Sequence, residues 1–249
     1  MVETLAVVFG VAVLAGGAVV IKYWYWPPDP DDEPREDVAE YISMMVGVLY
    51  ALVLGLALVT VWDSRSAAEG YVQSEAGAAH QVWLLAEGLP PQQAERLRTG
   101  VDTYVHHVVA TEWPAMTRGN PLGKRGWELL NQVRAAAEVP ADANPAQQVT
   151  ALEATAQLSK LDDARRGREA AVESGLSPVL WFGLFVGGTL TVAFMFLFGV
   201  QRSLTHVVMV MGLSALIAFV VLLIYQLNTP FSGLFAVDAT PFTRYFTSR

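Results

Sequence analysis

There is no cysteine among the 249 residues, so disulfide staples, thiol nucleophiles and cysteine-ligated metal centres are excluded. Charge is scarce as well. Asp, Glu, Lys and Arg make up 16% of the chain against 53% hydrophobic residues, with a mean hydropathy of +0.36, whereas soluble domains carry about 25% charge. The chain also lacks an HExxH helix, a Gly-rich phosphate loop and a GxSxG elbow. His106 and His107 are adjacent and would point about 100° apart on a helix, so they cannot share one metal ion. The expectation is a protein that is not an enzyme and holds neither cofactor nor metal. Period-two alternation is nowhere sustained and no segment repeats, so an all-helical fold is expected.

What the chain does have is long apolar runs. Four of them, at about residues 5–21, 41–62, 178–200 and 206–227, hold no Asp, Glu, Lys or Arg. Each has roughly twenty residues, enough for a helix to cross about 30 Å of hydrocarbon. The expected plan is an all-α membrane protein with four transmembrane helices in two hairpins. Residues 1–62 form the first hairpin, 63–177 a helical insert, 178–227 the second hairpin, and 228–249 a tail. The first run follows an acidic start, MVET, and is not followed by a small-x-small cleavage site, so a retained helix is expected rather than a signal peptide.

Basic residues set the orientation. Arg65, Arg165, Arg166, Arg168, Arg244 and Arg249 lie on the side of the insert and both termini, against Lys22, Arg35 and Arg202 on the other. The excess predicts a multi-pass cell-membrane protein with termini and insert in the cytoplasm. Glu3 and Lys22 around the first run favour the reverse locally, but the larger count outweighs them. The outer link, residues 22–40, is rich in Pro and acid, and its Trp24, Tyr25 and Trp26 suit a membrane interface. The link QRSLT between the last two runs is short enough to make those helices antiparallel neighbours.

Within the insert, a helix continues from the second run without a proline until Pro90-Pro91. Its apolar stripe is Ala68, Val72, Glu75, Ala79, Val82, Ala86 and Leu89, with one charged member. A second helix carries Val101, Val105, Val108 and Glu112 along one face and is expected to stop at Pro114; a third covers KRGWELLNQVRAAAE. The last runs from about Pro145 to Ser174, and its stripe reads Leu158, Leu161, Arg165, Arg168, Val172, Leu176. Arginines stand where leucines belong. They fit a partly buried pair with Glu75 that fixes register, or a cytoplasmic vestibule that concentrates anions. Arg166 faces away from the stripe and suits an anionic lipid headgroup. Arg165–Glu169 and Arg166–Asp162 are possible local pairs. The insert carries fifteen acids against eleven bases, which excludes a nucleic-acid surface.

No run has an ionisable residue at its centre, which argues against proton pumps and ion-coupled carriers. A passive pore can use hydrophobic constrictions and weakly polar groups such as Tyr50, Thr60 or Ser214. Gly47, Ala51 and Gly55, and Gly183, Gly187 and Thr191, recur every four residues. Such spacing lets helices approach closely, within one subunit or between subunits.

Several segments together resemble the bacterial bestrophin-like membrane proteins: VGVLYALVLGLALVTVW followed by SEA, TEWP (Glu112, Trp113, Pro114), LDDARRGR, LSPVLWFGLFVGG and NTPFSG. The resemblance covers about residues 41–242. Such proteins commonly carry an acid two residues before PFSG, where this chain has Asn228; the acidic calcium clasp of true bestrophins is not found. Bestrophins are pentameric anion channels with four membrane helices. The resemblance therefore implies a homo-oligomeric passive channel, pentameric and possibly anion-selective, with the second helix lining the pore and small inorganic ions passing through it. In PFSG, Pro230 is expected to end the fourth helix, Phe231 to sit at the membrane interface, and Gly233 to turn the tail back. A different class of function, a membrane-anchored sensor or scaffold whose insert binds a partner, fits the same composition.

Overall fold

Helical periodicity runs through almost the whole chain, and the computed structural model describes residues 2–25, 36–198 and 204–246. It is 85% helix, with no strand among the described residues. In order, the helices are α1 (Val2–Tyr25), α2 (Glu36–Leu85), α3 (Pro91–His107), α4 (Trp113–Thr117), α5 (Arg125–Ala137), α6 (Pro145–Glu173), α7 (Pro178–Phe198), α8 (Leu204–Leu227) and α9 (Thr240–Phe246). A π-helical turn, Val108–Glu112, joins α3 to α4. Trp26, Arg35, Arg202, Arg249 and most of QRSLT lie outside the described residues.

Two compact units emerge: Met1–Trp62 with Gly175–Asn228, and Asp63–Ser174 with Thr229–Arg249. In the first unit, α2 (from Tyr41), α7 and α8 are long and apolar enough to cross a membrane, while α1 contributes a shorter apolar stretch, Ala6–Ala18. The middle of the link of the expected first hairpin lies outside the described residues. The main neighbour of α1 is α8, and Gly16 makes the approach close: a Cβ there would meet the Met211 side chain at 2.7 Å. Tyr50 of α2 fills a notch on α7 left by Gly187 and Gly188. Ala57, Val61, Leu184, Ile224 and Leu227 close the packing at one end.

The second unit is built from amphipathic helices. α6 opens on a capping box in which Asn144 accepts from the Gln147 N–H and Gln147 reaches back to the Asn144 N–H. The expected stripes are the buried ones. Ala68, Val72, Ala79 and Val82 of α2, with Ala86 just past its end, meet Val101, Val105 and Val108 of the α3 segment and Leu158 and Leu161 of α6 in one core. Pro91 opens α3 at its first turn, where its missing N–H leaves no hydrogen bond unmade.

Two details depart from the sequence expectation. Pro114 does not stop its helix, which continues as α4 to Thr117 and ends at Gly119, φ +68°. The preceding turn is widened to π geometry, the Trp113 N–H reaching back to the Val108 carbonyl. That widening accommodates a residue with no N–H and a ring that would crowd a regular α-turn. Phe231 is buried in the core, edge-on to the Trp113 ring at 5.9 Å, rather than at an interface. Gly233 adopts φ +87° and turns the tail, as expected. The tail then forms α9, whose Phe242 ring also packs on Trp113, 6.1 Å between ring centres.

Candidate functional site

The two arginines of the α6 stripe have no exposed surface, and neither has Glu75. A helix delivers Arg165 and Arg168 to one face because they are three residues apart, and that face turns into the insert core. Arg168 grips Glu75 with two hydrogen bonds, Nε to Oε2 at 2.5 Å and Nη2 to Oε1 at 2.9 Å. Its Nη2 also donates to Glu112 Oε2 at 2.9 Å, and its Nη1 lies 3.2 Å from Met116 Sδ. Arg165 takes Glu112 instead, Nη2 to Oε1 at 2.6 Å and Nη1 to Oε2 at 3.0 Å. The expected pairing with Glu75 thus holds for Arg168 alone, because Glu112 from the π-turn occupies the Arg165 fork.

Four further side chains complete the network. The Tyr104 hydroxyl donates to Glu75 Oε1 at 2.5 Å and accepts from Arg165 Nη1 at 3.2 Å. Glu169 lies 2.9 Å from Arg165 Nη2 and accepts from the Trp127 indole at 3.0 Å. The Arg165 guanidinium also stands 5.1 Å from the Trp127 ring centre, within cation–π range. His107 reaches the rim, Nε2 at 3.7 Å from Glu112 Oε1. In an α-helix, residues five apart diverge; the π-turn brings His107 and Glu112 onto one side. Gly126 makes room from α5, since a Cβ there would collide with Arg165 Nη2 and Glu112 Oε1.

Burial by itself would raise the Glu112 carboxyl. Hydrogen bonds from Arg165, with the charges of Arg168 and Arg165, outweigh it and hold the group below its ordinary value. Burial and the neighbouring Glu75 push the Tyr104 hydroxyl well up, so it stays neutral and donates. For Arg165 and Arg168, burial opposes the charge, but Glu112 beside Arg165, and Glu75 with Glu112 beside Arg168, raise both above the ordinary arginine value. These are fixed charges arranged to satisfy one another. A buried network of this kind specifies helix register more than it adds net stability.

A pH prediction follows. The folded-state pKa of Glu112 is depressed, so its stabilising effect is complete above the unfolded value, about 4.3. It is lost as pH falls through the lower folded value. Unfolding measured from about pH 7 to about pH 3 should show stability dropping below the ordinary glutamate range. In Glu112→Gln the starting stability should be lower and the drop shallower.

The other sequence candidates distribute as follows. Gly47, Ala51 and Gly55 share one flank of α2, and no other part of the described residues comes within 4 Å of a Cβ built at either glycine. Thr60 lies on the opposite flank at about 100° per residue, exposed, its hydroxyl bonded to the Leu56 carbonyl at 2.8 Å. Tyr50 faces inward and is 6% exposed. Arg166 is exposed and pairs with Asp163 at 3.1 Å rather than with Asp162, which binds Arg134 across helices. Asn228 Oδ1 accepts from the Leu176 N–H at 2.6 Å, tying the end of α8 to the link before α7. Pro230 is buried, and its carbonyl accepts from the Val237 N–H.

Sequence patterns missed Tyr104, Trp127, Met116 and Gly126. The i, i+3/i+4 relation of Tyr104 to Val101 and Val108 was available as a signal; nothing local marked Gly126. Among the described residues no group of three or more acids or histidines is placed to hold a metal. Compared with known families, residues 9–242 match the model described as the Bestrophin-like domain. No curated protein and no solved structure matches the chain.

Proposed function

Because the chain belongs to the bestrophin-like family, we propose that it is a homo-oligomeric, passive ion channel of the cell membrane whose axis is lined by α2. In this reading all four apolar helices span the bilayer, and the termini and insert are cytoplasmic. Five copies is the number the family resemblance implies.

The open surface of α2 carries the proposal. Between Tyr41 and Trp62 there is no ionisable acid or base apart from the tyrosines, and among the described residues this stretch is buried only at Tyr50, Ala57 and Val61. The flank of Gly47, Ala51 and Gly55 lets a neighbouring helix approach closely. The flank of Leu49, Val53, Leu56 and Thr60 is exposed and supplies an apolar constriction with one hydroxyl, the kind of lining that gates by dewetting. Arg165 and Arg168, engaged with Glu112 and Glu75, are unsuited to selecting anions. The outer link, with seven acids against two bases, disfavours anions at the entrance. Selectivity is therefore assigned to the α2 lining and not to the ARRGR motif.

Native mass spectrometry and a liposome flux assay on the full chain test the assembly and the conduction together. A stable oligomer with ion flux supports the proposal. A stable monomer without flux would sink it and favour the scaffold alternative.

A further inference from the structure

Just beyond the uncharged stretch of α2, the second unit has a polar cleft of about 410 Å³ between α2 and the returning tail. Its size falls in the range of small-molecule sites. Arg65 stands three residues past Trp62, about 4.5 Å along the helix axis. Its Nε donates to the Phe235 carbonyl at 2.7 Å, which fixes the guanidinium at the rim, with Nη1 3.6 Å from Glu69 Oε2. From the tail, α9 brings Arg244 to the same cleft. Arg244 is exposed and has no hydrogen bond or ion pair with any described residue. Asp238 also lines the cleft; its Oδ1 accepts from the Thr240 N–H at 2.8 Å. The Thr240 hydroxyl and N–H hold that carboxyl below the ordinary aspartate value, so it is ionised at neutral pH. Two guanidiniums and two carboxylates thus surround one space.

We propose that this cleft binds a phosphoethanolamine group, the phosphate between Arg65 and Arg244 and the primary ammonium against Glu69 and Asp238. Guanidinium forks match phosphate oxygens two at a time. A primary ammonium has three N–H donors for the carboxylates, whereas a quaternary ammonium has none. A simple anion would bring no cation to the two carboxylates. The place on α2 makes a lipid headgroup the natural source, a soluble phosphomonoester being the other. The proposal rests on residues 41–62 crossing the bilayer and not on conduction, so an inactive channel leaves it standing.

The test uses full-length protein, delipidated and then reconstituted in nanodiscs of phosphatidylethanolamine, phosphatidylcholine or phosphatidylglycerol, with retained lipid read by native mass spectrometry. Phosphatidylethanolamine should be retained over phosphatidylcholine by about tenfold, the factor that loss of a hydrogen bond to a charged group produces. Arg244→Glu should lower its retention by a similar factor, and Glu69→Gln should bring the two lipids close to parity. Both side chains are exposed, so thermal unfolding should not move. Soluble phosphoethanolamine and inorganic phosphate are titrated in parallel. If phosphoethanolamine binds as well as the lipid, the same site takes a free phosphomonoester. Equal retention of all three lipids, no binding of phosphoethanolamine and an inert Arg244→Glu would overturn the proposal.

Discussion

Replacing Arg168 by alanine is expected to lower the unfolding free energy of the insert by about 3–5 kcal/mol, the range for removing one partner of a buried ion pair. The cause is what the change leaves behind. Glu75 has no exposed surface and takes two hydrogen bonds from Arg168. Without that guanidinium, the Tyr104 hydroxyl is the one hydrogen-bond donor left to its charge among the described residues. Denaturant unfolding of the full chain, followed by tryptophan fluorescence, measures the loss. In a double-mutant cycle, Glu75→Ala combined with Arg168→Ala should cost less than the sum of the two single changes, since neither charge is then orphaned. Arg168→Lys should fall between, because an ammonium cannot reproduce a two-bond fork. A loss below about 1 kcal/mol, the scale of exposed pairs, would mean that the pair is not buried as described.

Gly126→Val has the next largest expected effect and needs no change of charge. Helix α5 approaches α6 so closely at Gly126 that a Cβ would overlap both members of the Arg165–Glu112 pair. The guanidinium cannot swing aside freely, because Glu112, Tyr104 and Glu169 hold it from different sides. Overpacking alone costs about 1–3 kcal/mol, and displacing a buried charge-assisted bond adds to it. Gly126→Ala should cost less than Gly126→Val, and Gly123→Val, at a glycine with nothing within 4 Å of its Cβ position, should cost little. Melting temperatures of the three variants check the ranking.

The helical periods were legible because burial imposes them. Each position of the stripe from Ala68 to Leu89, which runs from α2 into the short turn after it, is buried, and the charged exception, Glu75, was visible as an exception. The stripe also exposed Arg165 and Arg168, yet it could not decide which acid each would meet. That depended on the π-turn at Val108–Glu112, a local change of pitch that a fixed 3.6-residue period cannot express. Pro114 was read as a stop for the same reason. Long-range closeness was the least legible feature. Gly126 has no sequence signature beyond being glycine, and the fit of Phe231 against Trp113 joins two motifs more than a hundred residues apart. The helical neighbour of α1 escaped as well, because an apolar run says that a helix is buried in something but not in what.

The family motifs gain a physical sense from these contacts. Glu112 of EWP binds two of the three arginines of ARRGR, Arg165 and Arg168, and Trp113 of EWP receives the phenylalanine of PFSG. Three separated motifs thus meet around one buried cluster in the insert. They hold the insert together, whereas the proposed ion path lies along α2.

Reversal potentials of unitary currents, recorded from the purified full-length protein in planar bilayers under a salt gradient, test that division most directly. Reproducible unitary currents are expected, with Thr60→Glu on the open flank of α2 moving the reversal potential toward the cation value. Arg166→Gln, an exposed change in the ARRGR motif, should leave it in place. Absence of unitary currents, or a reversal potential that follows Arg166 and ignores Thr60, would contradict an ion path lined by α2.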